Sequence, residues 1–219
     1  MAFENLRVYM ARIDVGKITL NVEETGEGPA FIFIPGLVGL LNAWQYQVKE
    51  FSKRYRCISM DHRSAGDSDC PPLNEYSTEA IADDVICMMD TLGIEKAHVA
   101  GTSTGGAVLQ NLAIDYPDRL RCCIFSNTWT KADEYICRVQ TARKQIALSK
   151  GVEAYVKVSS LFTNGAMQFR YNLDKVMEIE RRSLETVAPP EILAARLDMT
   201  MTHDRLDELH KIRNPSLII

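Results

Sequence analysis

The chain has 219 residues, a formal net charge of -4 at pH 7 and a hydrophobic fraction of 46%. A chain of this length can bury one substantial core. The acidic balance and the lack of a basic stripe argue against nucleic acid as a partner. No apolar run approaches the roughly 20 residues that span a bilayer, so no membrane partner is expected.

The N-terminal sequence and the cysteines indicate in which cellular compartment the protein is expected. Residues Met1–Asn5 show neither the basic nor the apolar region of a secretory signal. The six cysteines are scattered, and with the four histidines they form no spacing typical of a metal site. We therefore expect a reduced, cytoplasmic protein without a metal ion.

The first elements are predicted to be a pair of antiparallel strands within residues 7–24, joined by a turn at Val15-Gly16. Apolar and polar residues alternate from Ile18 to Glu23, which predicts a half-buried strand whose polar face, including Asn21, is in water. Such a leading hairpin is expected at the edge of a sheet.

Alternating strands and helices follow this hairpin. The apolar run Ala30–Ile34 predicts a strand buried on both faces, and Pro35-Gly36 ends it. A helix from Ala43, a strand over residues 55–61 and a helix capped by Ser77 come next. Strand, helix, strand, helix and strand in this order predict a mostly parallel sheet with helices on both faces.

The stretch Gly101-Thr-Ser-Thr-Gly105 lies between a short apolar strand and a predicted helix. This Gly-x-Ser-x-Gly pattern is typical of a nucleophile elbow, a sharp turn that exposes a serine. Glycines at 101 and 105 remove the side chains that would collide in such a turn. The helix N-terminus favours an oxyanion, and the Thr104 N–H is predicted to form half of an oxyanion hole.

The pattern changes after the strand predicted over Leu120–Phe125. Residues 129–204 contain only amphipathic helical segments, at 135–149, 152–161, 173–186 and 190–200. We interpret residues 1–128 as the core, 129–204 as a helical cap insertion, and 205–219 as a return to the core. The return consists of a helix and the beginning of a buried strand at Pro215.

Several separated motifs occur in an order that resembles the α/β-hydrolase superfamily. They are Pro35-Gly36-Leu37, Trp44, Asp61–Ser68, Gly101–Gly106, Asp115–Arg119 and Arg213–Ile219. Within the superfamily the chain resembles small bacterial ester, enol-lactone and aminoacrylate hydrolases. The resemblance covers the whole chain and implies the α/β-hydrolase fold.

The resemblance also implies a cofactor-free serine hydrolase that cleaves a small carboxylic ester, lactone or amide. Ser103 would be the nucleophile, and the N–H groups of Leu37 and Thr104 would hold the oxyanion. Two positions depart from the family pattern, because Pro35 replaces a usual histidine and Ser64 a usual glycine. The apolar side chains expected to line a substrate pocket are Leu37, Val38, Trp129, Phe162, Met167 and Phe169.

A serine hydroxyl needs a base at neutral pH. The resemblance places the acid just after the strand that begins at Pro215, and the histidine later still. Both would lie beyond Ile219, so we expect a C-terminally truncated fragment, or else a protein that has lost hydrolysis.

Other candidates for the missing base and acid exist within the sequence. As the base these are His62 and two histidines expected to be exposed, His203 and His210, whereas His98 is interpreted as structural. As the acid they are Asp133 and Glu134, which we expect in the cap.

Two rival functions remain open. One is a non-catalytic protein of the same fold that binds a ligand or partner through the cap. The other is different chemistry on the fold, such as that of a perhydrolase or a cofactor-free oxygenase. Arg170 is a candidate partner for a substrate carboxylate, although a solvated arginine is the simpler interpretation. No oligomeric state is predicted.

Overall fold

The computed structural model describes residues 8–219, which form a seven-stranded sheet with strand order β1-β2-β4-β3-β5-β6-β7. The strands are β1 (Val8–Asp14), β2 (Thr19–Thr25), β3 (Ala30–Ile34), β4 (Arg56–Met60), β5 (Ala97–Thr102), β6 (Leu120–Ser126) and β7 (Ser216–Ile218). β3 to β7 run parallel to one another, whereas β1–β2 and β2–β4 pair antiparallel. The predicted mostly parallel sheet is confirmed.

The helices are α1 (Gln45–Phe51), α2 (Thr78–Thr91), α3 (Thr104–Asp115), α4 (Glu134–Thr163), α5 (Ala166–Tyr171), α6 (Leu173–Thr186) and α7 (Pro190–Thr202). α1 packs on one face of the sheet, where Val48 meets Phe31 and Phe33. α2 and α3 cover the other face, where Val85 and Leu109 are fully buried. Helices therefore lie on both faces, as the alternating pattern predicts.

The leading hairpin forms at the sheet edge as expected, but its polar face is not uniformly in water. Asn21 on β2 is only 7% exposed, and its side-chain amide donates to the Asp61 carboxylate at 2.7 Å. The prediction for Asn21 is wrong because the loop after β4 folds over this face. A pattern of alternating residues cannot show that a distant loop supplies a buried polar partner.

The ends of α2 follow from its sequence. Ser77 precedes it with an extended backbone and accepts a hydrogen bond from the Ala80 N–H at 3.0 Å. Gly93 follows it with φ of 65°, a left-handed conformation that favours glycine. Both of these predicted boundaries are confirmed.

Four helices, α4 to α7, lie between β6 and β7. Gly151 interrupts α4 with φ of 80°, at the gap between two predicted helical segments, whereas α5 is not predicted. The two connections to the sheet lie side by side, because Lys131 and Asp204 form an antiparallel bridge. Alongside it, the Arg205 N–H donates to the Thr130 carbonyl at 2.9 Å.

β7 is an edge strand, and its side chains are exposed rather than buried. Leu217 is 53% and Ile218 80% exposed, so the expectation of a buried strand from Pro215 is wrong for these residues. The strand pairs with β6 alone within residues 8–219, and edge positions bury less than central ones. In the same part of the chain no helix combines the length and apolar character needed to cross a membrane.

Candidate active site

Ser103 occupies the turn between β5 and α3 in a strained backbone conformation, with φ of 51° and ψ of −120°. A non-glycine residue holds such a conformation only where its surroundings enforce it. Here the Ser103 N–H donates to the Ser126 carbonyl at 3.0 Å, and the Thr128 hydroxyl donates to the Ser103 carbonyl at 2.8 Å. The last residue of β6 and the segment after it therefore fix the serine backbone from both sides.

The glycines around Ser103 are required by close backbone approach. A Cβ at Gly101 would lie 2.2 Å from the Gly105 carbonyl oxygen, and one at Gly105 would lie 2.3 Å from the Ile34 oxygen. A Cβ at Gly106 would lie 2.5 Å from the Thr128 Cβ. These distances are shorter than any real Cβ contact, so β3, β5 and α3 can meet in this way only with glycine at these positions.

Two backbone N–H groups lie beside the serine. A Cβ at Gly36 would be 3.4 Å from the Ser103 Cβ and 3.9 Å from its Oγ, so the turn carrying Leu37 borders the hydroxyl. Thr104 is the first residue of α3, where N–H groups have no acceptor within the helix. Within residues 8–219 neither the Leu37 nor the Thr104 N–H donates to a backbone carbonyl. Both N–H groups are therefore without a backbone acceptor.

The loop after β4 braces the loop that carries Leu37. Asp61, which is 3% exposed, accepts from the Asn21 amide at 2.7 Å and from the Leu41 N–H at 2.8 Å. Gly66 passes so close that a Cβ there would lie 2.1 Å from the Asp61 Oδ2. One buried carboxylate thus ties the loops after β3 and β4 to strand β2.

Arg63 in the same loop is buried and fully paired. Its guanidinium donates two hydrogen bonds to the Asp84 carboxylate on α2, at 2.9 and 2.8 Å. Ser64, which stands where the family has a glycine, adopts a left-handed backbone with φ of 61°. The turn therefore has the conformation that glycine favours, with a serine in it.

An open cavity, with about 710 Å³ of empty space that includes the solvent at its mouth, lies between the Leu37–Val38 segment and the inner sides of α4, α6 and α7. Its side chains include the apolar Val156 and Leu193 and two arginines, Arg143 and Arg196. Leu37 packs against the core between the sheet, α2 and α3. It also packs against a small apolar cluster of the cap that includes Val156 and Leu197, so it lies at the junction of the two.

The structure brings only part of the predicted pocket together. Leu37 and Val38 line the cavity. Trp129 instead packs edge-on against His203 at the base of the cap. Phe162 and Met167 are 48% and 61% exposed, and with the half-buried Phe169 they are not part of the cavity wall.

None of the histidines in residues 8–219 hydrogen bonds to the Ser103 hydroxyl. His62 is fully buried without a partner for either ring nitrogen, and burial, together with nearby Arg196 and Arg63, lowers its pKa to about 3. His203 is buried, not exposed as expected, because the cap base closes over it. His98 contacts the Cys122 sulfur, and His210 is exposed.

The ring of His203 is engaged on both sides. Its Nδ1 lies 2.9 Å from the Thr78 hydroxyl and its Nε2 3.2 Å from the Gln110 side-chain oxygen. Burial lowers the pKa of this ring, which favours its neutral form. A neutral histidine held in this way links α2, α3 and the end of α7, and does not serve as a base for Ser103.

The acidic candidates also have structural roles. Asp133 caps α4 by accepting from the Ile136 N–H at 2.8 Å, and Glu134 pairs with Arg138 at 2.8 Å. Within the described range of 8–219, no three His, Cys, Asp or Glu side chains cluster closely enough to hold a metal ion.

Two residues of the site lie outside any motif in the sequence. Thr128 holds the Ser103 carbonyl but follows β6 without a recognisable pattern. Arg196 lies on α7 and reaches the Leu37 carbonyl across 159 residues of sequence. The only available signal for Arg196 was an arginine among the apolar residues of a predicted cap helix.

Comparison with known proteins places this geometry in a family. The sequence profile described as alpha/beta hydrolase fold matches residues 29–155. The chain is 30% identical over 214 residues to the Caulobacter vibrioides protein named "Putative carbamate hydrolase RutD", covering 93% of this chain and 79% of that protein. A protein of the same name from Caulobacter segnis is 32% identical over 182 residues, covering 81% and 68%.

Solved structures share the fold. The enol-lactonase from Burkholderia xenovorans superimposes with a TM-score of 0.82 at 24% identity, covering 96% of this chain and 80% of that one. A hydrolase from Pseudomonas aeruginosa gives a TM-score of 0.82 at 22% identity, covering 99% and 80%. From the profile match and the identity to the Caulobacter proteins, we conclude that this chain belongs to the alpha/beta hydrolase fold family.

Proposed function

We propose that this protein is a hydrolase that cleaves a small carboxylic ester, lactone or amide through an acyl-enzyme on Ser103. The observation that carries the proposal is the strained Ser103 backbone beside two free N–H groups, those of Leu37 and Thr104. The strained backbone of a serine costs free energy that the surrounding structure must offset, and such strain is typical of functional sites. Presenting a nucleophile to a carbonyl carbon is a function that would account for it.

The reaction would proceed in two balanced steps. Ser103 Oγ attacks the carbonyl carbon, its proton passes to a base, and the Leu37 and Thr104 N–H groups hold the resulting oxyanion. The leaving alcohol or amine takes up the proton as the carbon–heteroatom bond breaks. Water then adds to the acyl-enzyme and releases the acid, which restores the serine.

The names of the relatives support cleavage of a bond at an acyl carbon. The proteins named RutD are described as carbamate hydrolases, and a carbamate carries an acyl carbon bonded to nitrogen. An elbow serine facing two N–H donors suits attack on such a carbon as well as on an ester. We therefore extend the proposed substrate class to small carbamates.

The test is covalent labelling with a fluorophosphonate, which traps an activated serine as a stable ester. We expect the natural full-length protein to take up the probe and the Ser103→Ala variant to take up none. Ser126→Ala is the matched control, because this serine contacts the elbow only through its backbone carbonyl. Equal labelling of Ser103→Ala and wild type would overturn the assignment.

Turnover is a separate readout. No base in residues 8–219 hydrogen bonds to the Ser103 hydroxyl, so we expect the 219-residue chain alone to hydrolyse 4-nitrophenyl acetate slowly. Rapid turnover by this chain would show that one of its own side chains acts as the base, and His62→Gln would then be the first variant to measure.

A second candidate is ligand binding without catalysis. It is favoured by one observation: neither His62 nor His203 hydrogen bonds to the Ser103 hydroxyl, and burial lowers the pKa of both rings. Tight binding of a carboxylic ester with no acid released and no labelling of the full-length protein would support this alternative.

A further inference from the structure

Arg196 is a buried cation with no acid beside it. The residue lies on α7, is 4% exposed and forms part of the cavity wall. Within residues 8–219 it forms no salt bridge, and its one hydrogen bond goes to the Leu37 carbonyl. A buried charge without a counter-charge is strongly destabilising, so its presence calls for an explanation.

The other buried arginine of this protein shows how a purely structural one is accommodated. Arg63 is 5% exposed and forms a two-pronged pair with the Asp84 carboxylate. It also donates to the carbonyls of Glu75 and Ala80. Arg196 has no comparable set of partners. The residue instead forms part of the cavity wall, where a ligand could reach it.

The chemistry of the cavity favours an anion. A second arginine, Arg143, also lines it, and this side chain donates to neutral oxygens of Tyr155, Ser159 and Gln140. One acid, Glu180, is part of the same wall, and it pairs with neither arginine. The cavity therefore carries an excess of positive charge beside mostly apolar side chains.

The position of Arg196 relates this charge to the reacting centre. Leu37 carries both the N–H proposed to hold the oxyanion and the carbonyl that Arg196 contacts. Arg196 and the cavity therefore share Leu37 with the proposed oxyanion hole, and the neighbouring Gly36 borders the Ser103 side chain. An arginine fork also matches the two oxygens of a carboxylate better than a single point charge does.

We infer that the cavity selects substrates that carry a carboxylate near the scissile carbonyl, and that Arg196 binds this carboxylate. The inference rests on the proposed function for the identity of the reacting group, but the anion site stands on Arg196 and the cavity. Such a ligand would supply the missing counter-charge and would hold the Leu37 loop through the same guanidinium. Small neutral esters would bind more weakly.

The test compares two ligands that differ only in charge. 4-Oxopentanoate carries a ketone, which stands in for the scissile carbonyl without being cleaved, and a carboxylate. 4-Oxopentanamide has the same shape and is neutral. We expect the dissociation constant of the amide to exceed that of the carboxylate by about tenfold or more, as charge-assisted hydrogen bonds predict. Isothermal titration calorimetry or NMR titration at pH 7.5 measures both.

Variants assign the preference to a residue. We expect Arg196→Gln to bring the two dissociation constants within about twofold of each other, since the charge is removed. Arg196→Lys keeps the charge without the fork and should retain part of the preference. Arg170→Gln, which removes an exposed arginine outside the cavity wall, should retain all of it.

Two outcomes would overturn the inference. One is equal binding of the two ligands by the unmodified protein, a comparison that does not depend on any variant folding. The other is an undiminished preference in both Arg196 variants. Binding of these ketones needs no reactive serine, so the same preference in Ser103→Ala separates this inference from the proposed hydrolysis. Failure of fluorophosphonate labelling would remove the latter and leave the anion site standing.

Discussion

The candidate site has two walls that are built differently, a core wall around Ser103 and a cap wall around the cavity beside Leu37. The core wall consists of strand ends and short loops, whose backbones approach so closely that glycine is required at 101 and 105. Its buried charges have partners, as Arg63 and Asp84 show. The cap wall consists of helix side chains around a small apolar cluster, and its buried cation, Arg196, has no acid.

This difference separates two tasks. The core wall presents a serine and two N–H groups, a geometry that serves acyl chemistry whatever the substrate. The cap wall determines which molecules fit and which charge they carry. If this division is correct, changes in the core wall reduce the stability of the fold, whereas changes in the cap wall alter ligand preference at little cost in stability.

The largest effect is expected at the buried ion pair of the core wall. Asp84→Asn leaves the Arg63 guanidinium buried without its counter-charge, which should lower the free energy of unfolding by about 3 to 5 kcal/mol. Urea unfolding followed by circular dichroism measures this change.

Asp90→Asn is the matched control on the same helix. Asp90 pairs with Arg119 at 2.7 Å, but its side chain is 62% exposed. Exposed pairs contribute about 1 kcal/mol or less, so this variant should unfold at nearly the wild-type urea concentration. Similar losses in the two variants would show that burial does not distinguish these pairs.

The next effect concerns the glycines of the elbow. Gly105→Ala places a Cβ 2.3 and 2.4 Å from the carbonyl oxygens of Ile34 and Pro35, which are backbone atoms at the end of the central strand β3 and cannot move aside. We expect a loss of about 3 kcal/mol, the upper end of the usual range for overpacking. Thermal unfolding measures it.

A glycine in the cap provides the control for this substitution. At Gly165 an added Cβ meets nothing within 4 Å, and its φ of −66° suits any residue. Gly165→Ala should change stability by less than about 1 kcal/mol. An equal effect at the two positions would argue that the loss at Gly105 has another cause than close approach.

The same division explains what could be predicted from the sequence. Elements of the core wall leave local signals: Ser77 and Gly93 mark the ends of α2, and the glycines at 101 and 105 mark the elbow. Each signal reflects a conformational need of its own residue. Sequence reasoning therefore located these features within a residue or two.

Contacts between distant parts of the chain leave no such signal. The partner of Asn21 is Asp61, the partner of the Ser103 carbonyl is Thr128, and Arg196 reaches Leu37 from the cap. Apolar character also led to a wrong prediction in α5. Met167 is of a residue type that is common in pockets, but it is exposed to solvent. Composition does not determine which way a short helix faces.

A smaller loss of stability is expected when the pH is lowered. His62 lies at the core wall facing Arg63 and Arg196, and its pKa falls from 6.5 to about 3 on folding. The unfolded chain therefore takes up a proton at higher pH than the folded one, and stability falls as the pH drops below 6.5. Between pH 7.5 and 5.5 this group should remove about 1.4 kcal/mol of stability.

His62→Gln removes this contribution. Urea unfolding at the two pH values should show a loss that is smaller by about 1.4 kcal/mol in the variant than in wild type. His210→Gln changes an exposed ring and should leave the pH-dependent loss as it is. An identical loss in wild type and His62→Gln would mean that His62 is protonated in both states or in neither.

The smallest effect on stability is expected at Arg196, although it is as deeply buried as Arg63. Arg196→Gln removes a charge that has no carboxylate partner, which relieves a desolvation penalty, and it weakens one hydrogen bond, to the Leu37 carbonyl. These terms oppose each other, so urea unfolding should give a stability within about 1 kcal/mol of wild type. A loss as large as that of Asp84→Asn would instead make Arg196 a structural cation and erase the contrast between the two walls. Near-equal stability together with a lost preference for 4-oxopentanoate would show that Arg196 binds a ligand. A side chain that only stabilised the fold would lower the free energy of unfolding when it is replaced.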